Sequence, residues 1–348
     1  MREHLQLADV YNILSNKLAF PHLISVGSRR EELHSGGRVP GLGCLQPAGG
    51  GWHTRGQGLL CPEGDLQVRL EAAHYGVMQI ADLYIIRSDP IESRFAILLE
   101  DFAPGQNWCQ HRLLSDPGVK ATLAGFAKLH GFFWRGSSFW QRGGGPAEQL
   151  ESAVWPSGSY WQPSMQPPEQ LDQVAAAWDR HREAFGPAFS EAKELAGIDL
   201  ASLGMRLQRV VHRAGQSAHP FNDPDSSKKY SSWRTLIHGD AKSANIFLRD
   251  SREGQTHVEV EVGLIDFQWC GFGLAATEVA HHILAAVDIE SLSYDGSKEA
   301  ELLDHYYAHL VTALVEFGAA EDRGTATEIL TRASLQDQYE VAILDMCR

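Results

Sequence analysis

The chain has 348 residues, 43% of them hydrophobic and 21% charged, which is ordinary for a soluble globular protein and long enough for two units around a cleft. Its net charge of −14 argues against nucleic acid, whose phosphates need clustered Lys and Arg, and against an anionic membrane surface. It favours cationic or neutral substrates. The five cysteines, Cys44, Cys61, Cys109, Cys270 and Cys347, are scattered without a Cys-x-x-Cys pair, so neither a zinc site nor a disulfide framework is indicated. The opening MREHLQLADVYNIL lacks a signal pattern, and no apolar run approaches the ~20 residues of a membrane span. These features predict a reduced, cytoplasmic protein.

In chain order, Leu5, Val10, Ile13, Leu14 and Leu18 recur at helical spacing and predict a short amphipathic helix over 4–20. Ser35 to Gly64 is Gly-rich with three Pro and reads as a flexible loop rather than a phosphate loop built on Gly49, Gly50 and Gly51. No lysine occurs between Lys17 and Lys120. The apolar run Phe95 to Leu99 predicts a buried strand. From Val119 to Trp134, Val119, Leu123, Phe126, Ala127 and His130 share one helical face. A histidine in that setting reads as a satisfied core residue before an acid–base group. Trp140 to Pro168, rich in Trp, Gly, Ser and Pro, reads as a long surface loop. Helical spacing resumes from Glu169 to Ala196, and a polar tract at Asn222–Ser232 follows. Helices are expected over about Ala275–Val287 and Lys298–Phe317. His281 and His282 lack a Glu-x-x-His frame and do not read as a metal pair.

The chemistry concentrates between Thr235 and Glu278. Thr235-Leu236-Ile237 leads into His238-Gly239-Asp240. Asn245 opens Ile246-Phe247-Leu248, and Val258, Val260, Val262 and Leu264 alternate into Ile265-Asp266-Phe267. Asp240, Asn245 and Asp266 therefore stand where strands end, a usual place for chemistry on a rigid scaffold. Phosphoryl transfer needs a divalent metal to offset charge on the transferred group and a carboxylate to orient the attacking hydroxyl. Mg2+ keeps several waters, so one carboxylate and one amide carbonyl suffice to hold it. Asp266 and Asn245 can supply these, leaving Asp240 as the base. The order His238, Asp240, Lys242, Asn245 has the spacing of the kinase catalytic loop, and Asp266-Phe267 stands at the metal-binding Asp-Phe, with Gln268 in place of glycine.

HGDAKSANIF followed by LIDFQW resembles the aminoglycoside phosphotransferase and choline kinase-like small-molecule kinases, most nearly the branch with ecdysteroid kinase-like proteins. ILLEDF (Ile97–Phe102), AKLHGFFW (Ala127–Trp134), GLAATEVA (Gly273–Ala280), HYYAHL (His305–Leu310) and ILDMCR (Ile343–Arg348) add to the resemblance, which covers about 65–348. It implies an α+β, protein kinase-like bilobal fold. A small β-rich N-terminal lobe, atypical here, would span 1–100 with the irregular stretch 35–64. A larger, mainly helical catalytic lobe would span 101–348, with catalytic loop 238–245 and metal motif 265–268. It also implies ATP and Mg2+ as cofactors and a small-molecule hydroxyl as acceptor. Glu100, Asp101 and Phe102 would form the adenine-binding hinge, and Glu71 the helix carboxylate beside the phosphates. Lys242 would meet the γ-phosphate. Glu278 would steady the catalytic loop, and Trp155, Tyr160 and Trp161 would lie near the substrate, unless they only pack under the loop. The family's strand lysine is missing, and Arg55 or Arg69 would have to serve, although arginine and lysine are not interchangeable. The resemblance thus predicts a small-molecule kinase, with a non-catalytic kinase-like binding protein as the alternative. Metal-assisted hydrolysis by His238 and Asp240 is a poorer third reading, since no further ligands converge.

Overall fold

The computed structural model describes residues 79–80, 83–89, 94–99, 102, 107–141, 150–151, 154–186, 199–250, 260–293 and 295–347. Outside these lie the expected helix over 4–20, the Gly-rich tract 35–64, and Arg55, Arg69, Glu71, Glu100, Asp101 and Val258.

The described residues mix helix and strand and divide into two compact units. In one, Ala81–Cys109, the strands here termed β2 (Leu83–Asp89) and β3 (Arg94–Leu99) pair antiparallel, Asp89 opposite Arg94. The apolar run at Phe95–Leu99 is thus a strand, as expected. The other unit holds β1 (Gln79–Ile80) and all that follows Gln110.

In this larger unit, helix α1 (Asp116–Phe132) buries Val119, Leu123, Phe126, Ala127 and His130 along one side. Pro117 sits in its first turn, where a missing N–H costs nothing. Each fully buried Leu or Phe on that face contributes roughly 1.5–3 kcal/mol. There follow α2 (Ser138–Gln141), α3 (Pro168–Asp172), α4 (Val174–Ala184), α5 (Leu200–Ala218) and α6 (Pro224–Lys229). Among the described residues, the helical stretch expected over Glu169–Ala196 is two helices broken at Gln173. The Gln208 side chain takes up the Ala175 N–H at the start of α4, and 187–198 are not described. Helix α5 begins on Asp199, whose carboxylate accepts from Ala201 N at 3.1 Å, a cap worth about 1 kcal/mol.

Strands β4 (Arg234–Ile237), β5 (Ile246–Asp250), β6 (Val260–Leu264) and β7 (Gly271–Leu274) come next. Helices α7 (Ala275–Ala286), α8 (Ser297–Glu316), α9 (Arg323–Ile329) and α10 (Arg332–Met346) complete the unit. Strand β6 pairs in parallel with β1 and antiparallel with β5, while β4 pairs antiparallel with β7. Two registers matter most: Ile246 faces Leu264, and Ile237 faces Gly271. They bring the residue before β5, the residues after β6 and the end of β4 to one place.

The core lies between the sheets and α1, α7, α8 and α10, with Trp134, Tyr306, Phe126, Phe132 and Phe133 its largest fully buried side chains. Helices α1 and α8 come so close that a Cβ on Gly131 would lie 2.5 Å from that of Ala313, so any larger residue there forces them apart. No helix among the described residues is long and apolar enough to cross a membrane.

Candidate active site

Gly239 makes the loop after β4 possible. Its φ of +84° is left-handed, and a Cβ there would lie 2.2 Å from Trp269 O and 2.7 Å from Ser159 N. The chain therefore turns sharply between His238 and Asp240 while two other backbone segments press on it. Glu278, buried on α7, holds the turn from below. Its Oε2 accepts from His238 N at 3.0 Å and its Oε1 from Gly239 N at 2.8 Å. The same carboxylate accepts from His130 Nε2 at 3.0 Å, and His130 Nδ1 meets the Tyr306 hydroxyl at 2.8 Å. Burial alone would raise the Glu278 pKa. The hydrogen bond from His130 and the nearby histidines outweigh it and hold the carboxyl below its ordinary value. His130 is thus the satisfied core histidine expected from its helix face, and Glu278 steadies the loop.

His238 is fixed from both ring nitrogens. Asp240 N–H donates to Nδ1 at 3.2 Å, and Nε2 donates to Ile265 O at 2.8 Å, which sets the Nε2–H tautomer. Its ring lies 4.6 Å from that of Phe267. The imidazole is a strut between the two loops, not a free reactive group. Ile265 N–H in turn donates to Asn245 O at 3.1 Å, continuing the β5–β6 ladder by one step.

Asp240 is 2% exposed. Its Oδ2 accepts from Lys242 Nζ at 2.5 Å and from Asn245 Nδ2 at 3.1 Å, and Asn245 Nδ2 also donates to Asp240 O at 2.8 Å. Its Oδ1 is buried without a hydrogen-bond partner. Native proteins rarely leave a buried carboxylate oxygen unpaired. With the Asn245 amide nitrogen spent on Asp240, its oxygen remains for another ligand. Asp266 begins the turn after β6 in the left-handed region, φ 66° and ψ 61°, and Gln268 Nε2 donates to its Oδ2 at 3.3 Å. Burial, opposed by His238 but reinforced by the Asp240 charge, pushes the Asp266 carboxyl up from its ordinary value. A divalent cation beside Asp266 would relieve both effects. Among the described residues no three His, Cys, Asp or Glu side chains converge as a metal cage. One carboxylate and one amide oxygen are hard donors, which suit an ion that keeps several waters among its ligands.

The structure thus brings together Asp240, Lys242, Asn245 and Asp266. Phe102 is buried and packs at 5.0 Å from the Trp108 ring within the smaller unit, while Glu71, Glu100 and Asp101 lie outside the described residues. Part of the stretch expected to be a surface loop, residues 157–162, is a correction. Ser157, Ser159 and Gln162 are buried, because residues 155–159 hydrogen-bond alongside 269–272: Trp155 N to Cys270 O, Gly158 N to Phe272 O and Ser159 N to Trp269 O. Trp155 stacks on Trp269 at 5.9 Å, and Tyr160 lies 5.5 Å from the His281 ring. Burial first, then the Asp240 charge, raises the Tyr160 pKa, so this side chain borders the site. Trp161 instead donates Nε1 to Asp345 O at 3.0 Å on the C-terminal helix.

Sequence reasoning gives His281 no place in the site, and its Nε2 lies 3.9 Å from Asp240 Oδ1. Its place one turn beyond Glu278 was the available signal, since a residue three further along a helix shares that residue's face.

No curated protein matches the chain. Among solved structures, a microcompartment-associated aminopropanol kinase is similar at 14% identity, covering 82% of this chain and 79% of that one, with a TM-score of 0.35. An ethanolamine kinase of Plasmodium vivax is similar at 13% identity, 82% and 71% coverage and a TM-score of 0.33. An aminoglycoside phosphotransferase from Alicyclobacillus acidocaldarius is similar at 15% identity, 82% coverage of each chain and a TM-score of 0.35. Likenesses this remote carry no argument about activity. Residues 164–319, which include the whole 238–278 constellation, match the model of the ecdysteroid kinase-like family.

Proposed function

We propose that this protein is a phosphotransferase that moves the terminal phosphoryl group of ATP, with Mg2+, to a hydroxyl of a small molecule. The observation that carries the reading is Asp240, with Oδ2 anchored by Lys242 and Asn245 and Oδ1 buried and unpaired. The family match over residues 164–319 supports it. Mg-ATP supplies the chemistry: a bond from the acceptor oxygen to the γ-phosphorus replaces the bond to the bridging oxygen, and ADP leaves. Asp240 orients the acceptor hydroxyl and takes its proton. Asn245 and Asp266 are the residues that would hold the metal. Lys242, half-exposed beside Asp240, is free to turn toward the transferred phosphoryl group. Glu100–Phe102 and Glu71 remain assigned to the nucleotide by resemblance, and cytoplasmic residence is part of the same proposal.

The missing strand lysine favours a second reading, a kinase-like protein that binds a ligand without turnover. A thermal-shift titration with ATP, with and without Mg2+, on wild type and Asp266→Asn separates the two. A metal-dependent rise in melting temperature that Asp266→Asn abolishes supports the nucleotide site. No rise at millimolar ATP favours the non-catalytic reading. An ATP-consumption screen over alcohols, amino alcohols and sugars then identifies the acceptor, and Asp240→Ala should abolish turnover while leaving the melting temperature nearly unchanged.

A further inference from the structure

Two facing atoms near Asp240 are left without hydrogen bonds to each other. Asp240 Oδ1 is buried and unpaired, and His281 Nε2 approaches it only to 3.9 Å, too far for a direct bond. An oxygen about 2.7–2.9 Å from each atom fits such a gap, closing an angle near a right angle at that oxygen. Resting on the phosphotransferase reading above, we infer that His281 positions the acceptor hydroxyl, donating from Nε2 to its oxygen while that hydroxyl donates to Asp240 Oδ1.

The surroundings agree with this role. His281 is 5% exposed and sits on α7 in the turn after Glu278, so the helix that anchors the catalytic loop also carries the donor. Asp240, Glu278, His238, Lys242 and the Tyr160 ring face it. Burial dominates over the attraction of the two carboxylates and keeps the imidazole below its ordinary pKa, so it is a neutral donor at neutral pH. A neutral donor fixes a hydroxyl without withdrawing the base's negative charge, as a full cation at that point would. The contact is closed to solvent, so entry of a hydroxyl requires a side chain to give. The half-buried Tyr160 ring is its more exposed neighbour.

The test uses the whole chain with Mg-ATP as donor and water as acceptor, reading ADP release and melting temperature together. Wild type should release ADP in a Mg2+-dependent way, and Asp240→Asn should not. His281→Leu should be slower by about 10–100-fold at an unchanged melting temperature. His281→Gln, whose amide nitrogen reaches the Nε2 position, should return to within about threefold of wild type. If His281→Leu does not fold, His281→Asn replaces it, because its shorter amide does not reach and should stay slow. Wild-type rates in His281→Leu, or equally slow rates in His281→Gln and His281→Asn, overturn the inference while leaving the phosphotransferase reading intact. No Mg2+-dependent ADP release by wild type with water or with any alcohol, amino alcohol or sugar of the acceptor screen overturns that reading, and this inference with it.

Discussion

His130 meets Glu278 at 3.0 Å and His219 meets Asp345 at 3.1 Å, and both pairs are nearly closed to solvent. The chemistry of contact is the same, but the neighbours differ. Glu278 also receives two backbone N–H groups of the loop that carries Asp240. The second pair joins the residue after α5 to α10, where a Cβ on Gly215 would lie 3.0 Å from Asp345 Oδ1 and Trp161 bonds the Asp345 carbonyl. A buried histidine–carboxylate pair therefore says little by itself about function. What else the carboxylate holds decides whether the pair serves the site or only the fold.

The comparison can be broken most forcefully at Glu278. Glu278→Ala leaves His130 Nε2 and two backbone N–H groups unpaired, and should cost about 3–5 kcal/mol in urea unfolding together with turnover in whatever remains folded. Undiminished turnover per folded molecule would erase the distinction between the pairs. A third buried histidine, His282, tests what the absence of a carboxylate partner means. Its Nδ1 donates to Ala241 O at 3.0 Å, its Nε2 is buried and unpaired, and burial pushes its pKa from 6.5 down to about 4. Between those values the unfolded chain binds a proton that the native state refuses, so stability rises with pH across that window and gains nothing above it. Unfolding at pH 5 should show about 2 kcal/mol less stability from this residue than at pH 7, and His282→Gln should flatten the difference.

At the other pair, Asp345→Asn keeps an oxygen that can accept from His219. It should cost about 1–2 kcal/mol in unfolding with no change in turnover per folded molecule. A fall in that turnover would make the second pair functional too. The smallest effect is expected at the partly exposed cluster of Lys120, Asp116, Lys298 and Glu301, where Lys298→Ala should shift the melting temperature slightly and only at low salt.

The frame of the site was legible because its signals are local: alternation marks β4 to β6, and Asp240, Lys242 and Asn245 lie within a few residues of one another. The pairing of Asn245 with Ile265 was not legible, since it depends on the register between β5 and β6. His281 was signalled only by its place one turn beyond Glu278, since its nearness to Asp240 depends on how α7 packs under the loop. The segment at 155–162 misled through its Trp, Gly, Ser and Pro content. Its burial comes from hydrogen bonds to a strand more than a hundred positions away, which composition does not register. Helix α10 was unassigned because its buried residues, Leu335, Tyr339, Ala342 and Asp345, include a carboxylate. Helix α5, also unassigned, carried its signal openly: Asp199 as cap, then Leu207, Val211, Ala214 and Ala218 along one side.

Ile265 spends both of its backbone polar groups on the site, its N–H on Asn245 O and its carbonyl on His238 Nε2. One peptide neighbourhood thereby pins two loops that approach from different strands. Thermal displacement of either loop drags the other with it, so the gap between the Asp240 and Asp266 carboxylates should fluctuate less than either group does against the surrounding helices. The site behaves as a rigid caliper: its opening is set by the hairpin, and whatever adaptation a ligand demands must come from the walls.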